Sequence, residues 1–131
     1  MTSYSLDVTS VPPLSKNKPR QVIVLCHGYG GDGKDISTLA INWQRFLPDA
    51  IFLCPNAPEV CTDNPQGYQW FDMASEKEET MFEKSLAAEE KLNTFLDQVI
   101  NNFQLESSNL ALVGFSQGCM MRIQPGLKRK K

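Results

Sequence analysis

The chain has 131 residues, of which 41% are hydrophobic and 21% are charged, a composition that suits one globular domain rather than a disordered segment. A formal charge of −2 argues against a general nucleic-acid binder, and the one dense basic run, Lys128 to Lys131, is interpreted as a solvated end. The start of the chain lacks the pattern of a secretory signal and no apolar run is long enough to cross a bilayer, so we expect a cytoplasmic protein without a stable membrane anchor.

The first half of the chain alternates between polar and apolar segments. Residues 1–19 are polar and interrupted by prolines, which predicts a short edge hairpin or an irregular lead-in. The apolar run QVIVLCH, residues 21–27, predicts a buried strand, and the pattern that follows predicts a helix from about Lys34 to Pro48. A second buried strand is predicted over residues 50–55, AIFLCP.

The second half repeats this order after a long loop. Residues 57–73 are rich in Pro, Asn, Asp and Gly, and a loop of that length suggests a functional role. An amphipathic helix is predicted from about Glu76 to Phe103, with its apolar residues at Phe82, Leu86, Leu92, Phe95, Leu96, Val99, Ile100 and Phe103. A third buried strand follows at residues 109–113.

Strands that alternate with helices predict parallel pairing and right-handed crossovers, and therefore the α/β class. Ligands of such sheets bind at the carboxyl ends of the strands, which here lie just after His27, Pro55 and Gly114. The four cysteines show no paired spacing and one histidine cannot complete a conventional zinc set, so neither a metal nor a cofactor is predicted. Cys26 and Cys54 are interpreted as buried thiols in strands.

The stretch GFSQG, residues 114–118, follows the third predicted strand. In a G-x-S-x-G pattern the serine occupies a sharp turn between strand and helix, and Gly114 and Gly118 remove side chains that would clash there. Ser116 is then either an exposed nucleophile or an ordinary helix cap flanked by closely packed glycines. The predicted strand-to-helix position favours the nucleophile.

The stretch HGYGGDG, residues 27–33, follows the first predicted strand. A glycine-rich loop at this position can turn a backbone N–H toward the serine as an oxyanion donor. The same kind of loop can cradle a phosphate, but the stretch lacks both the G-x-G-x-x-G register and the G-K-[ST] ending. The phosphate interpretation is therefore the weaker one.

Four motifs in this order resemble the phospholipase/carboxylesterase family, the carboxylesterase and acyl-protein thioesterase branch of the α/β-hydrolase fold: LCHGYGGDG, CPNAP, WFDM and GFSQG. The resemblance implies a three-layer fold with a mainly parallel sheet, of which residues 1–131 supply the N-terminal part as a single, incomplete domain. It further implies that Ser116 is the nucleophile and that the N–H groups of Tyr29 and Gln117 form the oxyanion hole. The residues given supporting roles are His27, Gly28, Gly114, Gly118 and Trp70.

The resemblance also implies a role for His27 and a class of substrate. His27 would brace the oxyanion loop, and the 57–73 loop would border a pocket for the acyl group of a small or lipid-like ester.

In this fold the triad runs in the order Ser, Asp, His. The fifteen residues after Ser116 contain no Asp, Glu or His, and Asp63 and Asp72 precede the serine.

Loss of the general base costs a serine hydrolase about a millionfold in turnover. The chain is therefore expected to be nearly inactive by itself, and three hypotheses stay open. It is a truncated copy of an ester or thioester hydrolase, a non-catalytic module that binds an acyl group or a partner, or a remnant of the fold without a function of its own. An open edge at the strand over residues 109–113 predicts self-association.

Overall fold

The computed structural model describes residues 4–72, 78–114 and 117. Its elements are β1 (Val8–Val11), β2 (Gln21–Cys26), α1 (Gly33–Trp43), β3 (Ala50–Pro55), β4 (Glu59–Val60), β5 (Tyr68–Gln69), α2 (Glu78–Phe103) and β6 (Leu110–Gly114). A 3₁₀ turn at Ser107–Asn109 leads from α2 into β6. Over these ranges, the helices are too short or too polar to cross a bilayer.

The main sheet has the strand order β1-β3-β2-β6. Strands β3, β2 and β6 are parallel to one another, which confirms the α/β prediction and the pairing expected of the three apolar runs. Strand β1 lies antiparallel to β3, with Val11 opposite Phe52. The N-terminal segment therefore contributes one edge strand to the sheet rather than a hairpin.

The core occupies both faces of this sheet. Strands β2 and β3 are almost entirely buried because a helix covers each face, α2 on one side and α1 on the other. The α2 side holds, among others, Val22, Val24, Leu53, Trp70, Leu92, Phe95, Leu96 and Val99, and the α1 side holds Ile23, Leu25, Phe52, Ile36 and Ala40. The result is three layers, helix, sheet and helix.

Helix α1 is shorter than its apolar pattern indicates. Its N-cap is Asp32, whose carboxylate accepts a hydrogen bond from the Asp35 N–H at 2.7 Å. The helix ends at Trp43, and the expected continuation to Pro48 is wrong. Beyond Trp43 the apolar residues do not form a buried face, since Phe46 is 71% exposed. Apolar spacing alone therefore misplaced the end of the helix.

Helix α2 is described from Glu78, whereas its predicted start at Glu76 lies outside the described residues. Two residues of the predicted apolar face, Phe82 and Leu86, are instead exposed. The buried face consists of residues spaced three and four apart, namely Ser85, Ala88, Glu89, Leu92, Phe95, Leu96 and Val99. The long loop before α2 contains a two-stranded antiparallel ribbon, β4 with β5.

Candidate functional site

The two glycine-rich motifs follow the ends of neighbouring strands. In the β2–β6 pair, Cys26 lies directly opposite Gly114. His27 and residue 115 therefore follow, along the chain, two strand ends that are neighbours in the sheet. Ser116 and Gly118 lie outside the described residues, whereas Gln117 is described as helical and buried.

His27 is a buried side chain that joins two loops. Its Nε2 accepts a hydrogen bond from the Ala57 N–H at 2.9 Å, so the proton of the neutral ring resides on Nδ1. That Nδ1 lies 2.6 Å from the Gly28 carbonyl oxygen and donates to it. Burial lowers the pKa of the imidazole, against smaller opposing effects of the Gly28 hydrogen bond and the Asp32 charge. Both ring nitrogens are thus engaged within the protein, and the ring is held in its uncharged form.

Trp70 connects the end of β2 with the residue that follows Ser116. Its indole Nε1–H donates to the His27 carbonyl at 2.9 Å, and its ring stacks on the His27 ring with centroids 5.7 Å apart. Its main-chain N–H donates to Oε1 of Gln117 at 2.9 Å. Trp70 is 1% exposed, so these hydrogen bonds satisfy polar groups that water does not reach.

The Gln117 side chain completes this link. Its Nε2 donates to the Phe71 carbonyl at 2.8 Å while its Oε1 accepts from Trp70, so one amide bridges two successive residues of another segment. Sequence reasoning assigned Gln117 only a backbone N–H role and missed its side chain. A buried glutamine must satisfy both ends of its amide, but the burial of Gln117 is a property of the structure, and no local sequence signal pointed to it.

The loop after β2 turns tightly between Gly28 and Gly31. The Gly31 N–H donates to the Gly28 carbonyl at 3.1 Å, and Gly30 adopts a φ of 81°, which favours glycine. Within the described ranges, the Tyr29 N–H donates to no hydrogen bond. Its side-chain hydroxyl donates to Asp63 Oδ2 at 2.9 Å. The tyrosine is thereby held by its side chain while its backbone N–H is unengaged there.

Residues 61–68, here termed the clamp loop, fix this turn from outside. The Gly30 N–H donates to the Tyr68 carbonyl at 2.9 Å, and the Tyr68 N–H donates to the Gly31 carbonyl at 2.8 Å. The Asn64 amide donates to the Gly30 carbonyl at 2.9 Å. A Cβ at Gly67 would overlap that same carbonyl, so only glycine allows the two loops to approach this closely. Sequence reasoning placed this segment beside an acyl pocket and missed the clamp.

Comparison with known proteins identifies the family. Residues 11–131 match the family described as phospholipase/carboxylesterase. The chain belongs to the phospholipase/carboxylesterase family. It is 26% identical over 114 residues to acyl-protein thioesterase 1 of Schizosaccharomyces pombe, a match that covers 83% of this chain and 50% of that protein.

Solved structures agree with this membership of the phospholipase/carboxylesterase family. Esterase PE8 superposes with a TM-score of 0.88 at 37% identity, over 95% of this chain and 58% of that one. A carboxylesterase from Mesorhizobium loti superposes with a TM-score of 0.74 at 18% identity, over 98% of this chain and 57% of that one, and this likeness concerns the fold alone. The chain thus spans somewhat more than half the length of these structures.

Two of the cavities formed by the described residues border the candidate site. One, of about 280 Å³, lies between the segment after β5 and α2, and is lined by Glu59, Trp70, Phe71, Asp72, Lys84, Ala87, Ala88 and Lys91. The other, of about 300 Å³, lies on the α1 side and is lined by His27, Gly28, Gly31, Asp32, Asp35, Ile36, Thr38 and Leu39. Among the described residues, no three His, Cys, Asp or Glu side chains are grouped to hold a metal ion.

Proposed function

We propose that this chain supplies the nucleophile and the oxyanion hole of a serine hydrolase acting on carboxylic ester or acyl-thioester bonds. The register of β2 and β6 is the main support, because it sets Cys26 opposite Gly114. Tyr29 and Ser116 then follow the carboxyl ends of adjacent parallel strands, where α/β sheets bind ligands. Ser116 attacks the acyl carbonyl, and the N–H groups of Tyr29 and Gln117 bind the developing oxyanion.

The cavity beside Trp70 supports an acyl substrate. Half of its lining residues are apolar, namely Trp70, Phe71, Ala87 and Ala88, and the other half are the charged residues Glu59, Asp72, Lys84 and Lys91. Trp70 and Phe71 also bind the Gln117 amide, which brings this cavity next to the residue after Ser116. A small or lipid-like acyl group placed there lies close to the proposed nucleophile. Supporting positions at Gly28, Gly114 and Gly118 are part of the same proposal.

The general base is the part of the mechanism that residues 1–131 do not supply. His27 is the one histidine of the sequence, and both of its ring nitrogens are engaged by Gly28 and Ala57. Without a base, about a millionfold of turnover is lost, and the oxyanion hole and binding alone retain about 10³- to 10⁴-fold over water. We therefore expect negligible hydrolysis by the 131-residue chain.

The test compares this chain with its Ser116→Ala variant on p-nitrophenyl acetate and on an acyl thioester. Both proteins are expected to stay at background. Each is then fused to the part of esterase PE8 that lies outside the matched region, because the match covers 58% of that structure. Turnover that appears in the fusion and disappears with Ser116→Ala supports the proposal. Turnover by the unfused chain that depends on Ser116 contradicts the role assigned to His27.

The engaged state of His27 also favours a second candidate, a non-catalytic module that binds an acyl group or a partner. Tight binding of a fatty-acid analogue by the 131-residue chain, together with a folded but inactive fusion protein, would favour this alternative.

The proposal also includes self-association and a cytoplasmic location. Within the described ranges, β6 pairs with β2 on one side only, and an open edge can pair with another chain. We expect oligomers in size-exclusion chromatography, and a monomer at all concentrations would contradict this expectation. A cytoplasmic location is tested by cell fractionation.

A further inference from the structure

A cluster of exposed apolar and basic side chains lies at the end of the sheet opposite the candidate site. Two turns form it, residues 14–20 before β2 and residues 43–49 before β3. Three apolar side chains project there: Leu14 is 49% exposed, Phe46 71% and Leu47 36%. Exposed basic residues accompany them, namely Lys16, Lys18, Arg20 and Arg45. These seven residues are termed the basal patch.

Main-chain hydrogen bonds hold the two turns together. The Ser15 N–H donates to the Pro48 carbonyl at 3.0 Å, and the Arg20 N–H donates to the Asp49 carbonyl at 2.9 Å. Leu14 and Leu47 each immediately precede one partner of the first bond, so their side chains belong to one surface. The Arg45 guanidinium lies 5.1 Å from the centre of the Phe46 ring. The patch is therefore a built surface rather than a set of scattered side chains.

The charge of the patch contrasts with that of the whole chain. Residues 14–20 and 43–49 contain four basic residues and one acid, Asp49, and so carry +3, whereas the chain as a whole carries −2. All other residues together therefore carry −5. The Asp49 carboxylate accepts a hydrogen bond from the Ser15 hydroxyl at 2.7 Å, which ties it to the turn that carries Leu14. Four cations thus accompany the apolar side chains, against the single negative charge of Asp49.

We propose that the basal patch is a reversible binding surface for an anionic lipid membrane. Apolar tips ringed by Lys and Arg match an interface in which acyl chains lie beneath negative headgroups. Lys and Arg stems also bury apolar length while their charges stay at the headgroups. The cores of protein–protein interfaces, in contrast, are depleted in Lys. This surface needs no spanning helix, and it does not depend on the chemistry of Ser116.

The experiment measures binding of the full chain to vesicles of phosphatidylcholine, with and without phosphatidylserine, by co-sedimentation. Binding is expected only with phosphatidylserine and should weaken as salt is raised. Trp43 and Trp70 are the two tryptophans of the sequence. Trp43 lies beside the patch, since its carbonyl accepts the Phe46 N–H at 2.9 Å, whereas Trp70 is buried. Brominated lipid should therefore quench the fluorescence of Trp43. A Trp43→Phe variant retains only the fluorescence of Trp70, which should not be quenched.

Matched variants separate this patch from other surfaces of the chain. Phe46→Ser should weaken binding at least about fivefold, while Phe82→Ser, at a side chain that is 59% exposed on α2, should not. The double variant Lys16→Gln with Lys18→Gln should weaken binding about thirtyfold, because each cation near an anionic surface contributes about a factor of five. A control outside the patch is Lys34→Gln, at an exposed position of α1, compared with the single variant Lys16→Gln, which has the same net charge. Lys34→Gln should leave binding unchanged, whereas Lys16→Gln should weaken it about fivefold.

Each remaining outcome overturns the proposal. Absence of binding to phosphatidylserine vesicles excludes a lipid surface, and patch-dependent capture of an acidic protein in that case would assign the surface to a protein partner. Binding that survives the Phe46 and Lys16/Lys18 variants but is lost when Lys128 to Lys131 are replaced by Gln would assign it to the C-terminal basic run. Circular dichroism of every variant checks that lost binding does not reflect unfolding.

Discussion

The contact between the clamp loop and the turn after β2 predicts a large effect for a single methyl group. In Gly67→Ala the new Cβ would overlap the Gly30 carbonyl oxygen and lie 2.6 Å from its carbon. Among the described glycines only Gly30 has a positive φ, so the conformation of residue 67 itself accepts alanine. Steric overlap, and not backbone strain at residue 67, therefore decides the outcome.

The magnitude follows from the hydrogen bonds that the overlap would separate. The Gly30 N–H to Tyr68 bond, the Tyr68 N–H to Gly31 bond and the Asn64 to Gly30 bond all cross this contact. At about 1 kcal/mol for each bond, their loss destabilises the native state by up to about 3 kcal/mol. Overpacking without separation costs about 1–3 kcal/mol. We therefore expect a loss of about 2–3 kcal/mol.

The assay combines urea unfolding with hydrogen exchange at single amides. Protection at Gly30 and Tyr68 should fall about 30- to 150-fold if the loops separate locally, since 1.4 kcal/mol corresponds to a factor of ten. The matched control is Gly31→Ala, whose Cβ would meet the Gly28 oxygen at 3.4 Å and the His27 Cβ at 3.5 Å, both ordinary contacts. That variant should be neutral or slightly stabilising. Unchanged stability and protection in Gly67→Ala, or equal damage in Gly31→Ala, would refute the clamp.

Three further predictions concern buried groups. Burial lowers the His27 pKa below 6.5, so as the pH falls the unfolded state binds a proton before the folded state does. Urea unfolding should therefore show a loss of stability below about pH 6.5, and the variant His27→Gln should not show this loss. Parallel pH profiles of the two proteins would argue against the prediction. Burial raises the pKa of Cys26 and Cys54 to about 12. Iodoacetamide should therefore label both thiols in denaturant but not in the native protein, which mass spectrometry of their peptides measures. Labelling of the native protein at the rate of a free thiol would disprove this prediction. Gln117→Leu leaves the Trp70 N–H and the Phe71 carbonyl unpaired and should lower the free energy of unfolding by about 2–4 kcal/mol. Gln117→Glu keeps the acceptor for Trp70 but sets a buried carboxylate oxygen against the Phe71 carbonyl, so at pH 7 its loss should be at least as large; similar stability for all three proteins would count against the bridge.

The elements that sequence reasoning located best are those with continuous apolar runs. Strands β2, β3 and β6 were predicted within two residues of their ends because burial on both faces requires such runs. The apolar spacing along the chain gave wrong predictions of burial where contacts between distant segments determine it. Phe46 continues an apolar pattern but lies exposed in a turn, and Phe82 lies on the solvent side of α2. For Phe82 the spacing was correct for a helix but did not determine which side faced the core, whereas at Phe46 the helix had already ended.

In the candidate site, too, some residues could be predicted from the sequence and others could not. Residues adjacent to strand ends, such as His27 and Gly114, were predicted because topology alone places them at one edge of the sheet. The clamp loop and the Gln117 bridge depend on hydrogen bonds between segments that are 30 or more residues apart, for example Asn64 with Gly30. No local pattern specifies such a partner, so only a three-dimensional arrangement could identify it.

The place of β6 in the sheet has a consequence for the order of folding. Strands β2 and β3 start at residues 21 and 50, whereas β2 and β6 pair through residues 22 and 110. Closing a loop of about ninety residues instead of about thirty costs about 1 kcal/mol more in chain entropy. The β2–β3 pair can therefore form before the segment carrying Ser116 docks beside it. In pulse-labelled refolding, amides of β2 and β3 should gain protection ahead of those of β6, so that the proposed nucleophile is among the last residues to reach its position.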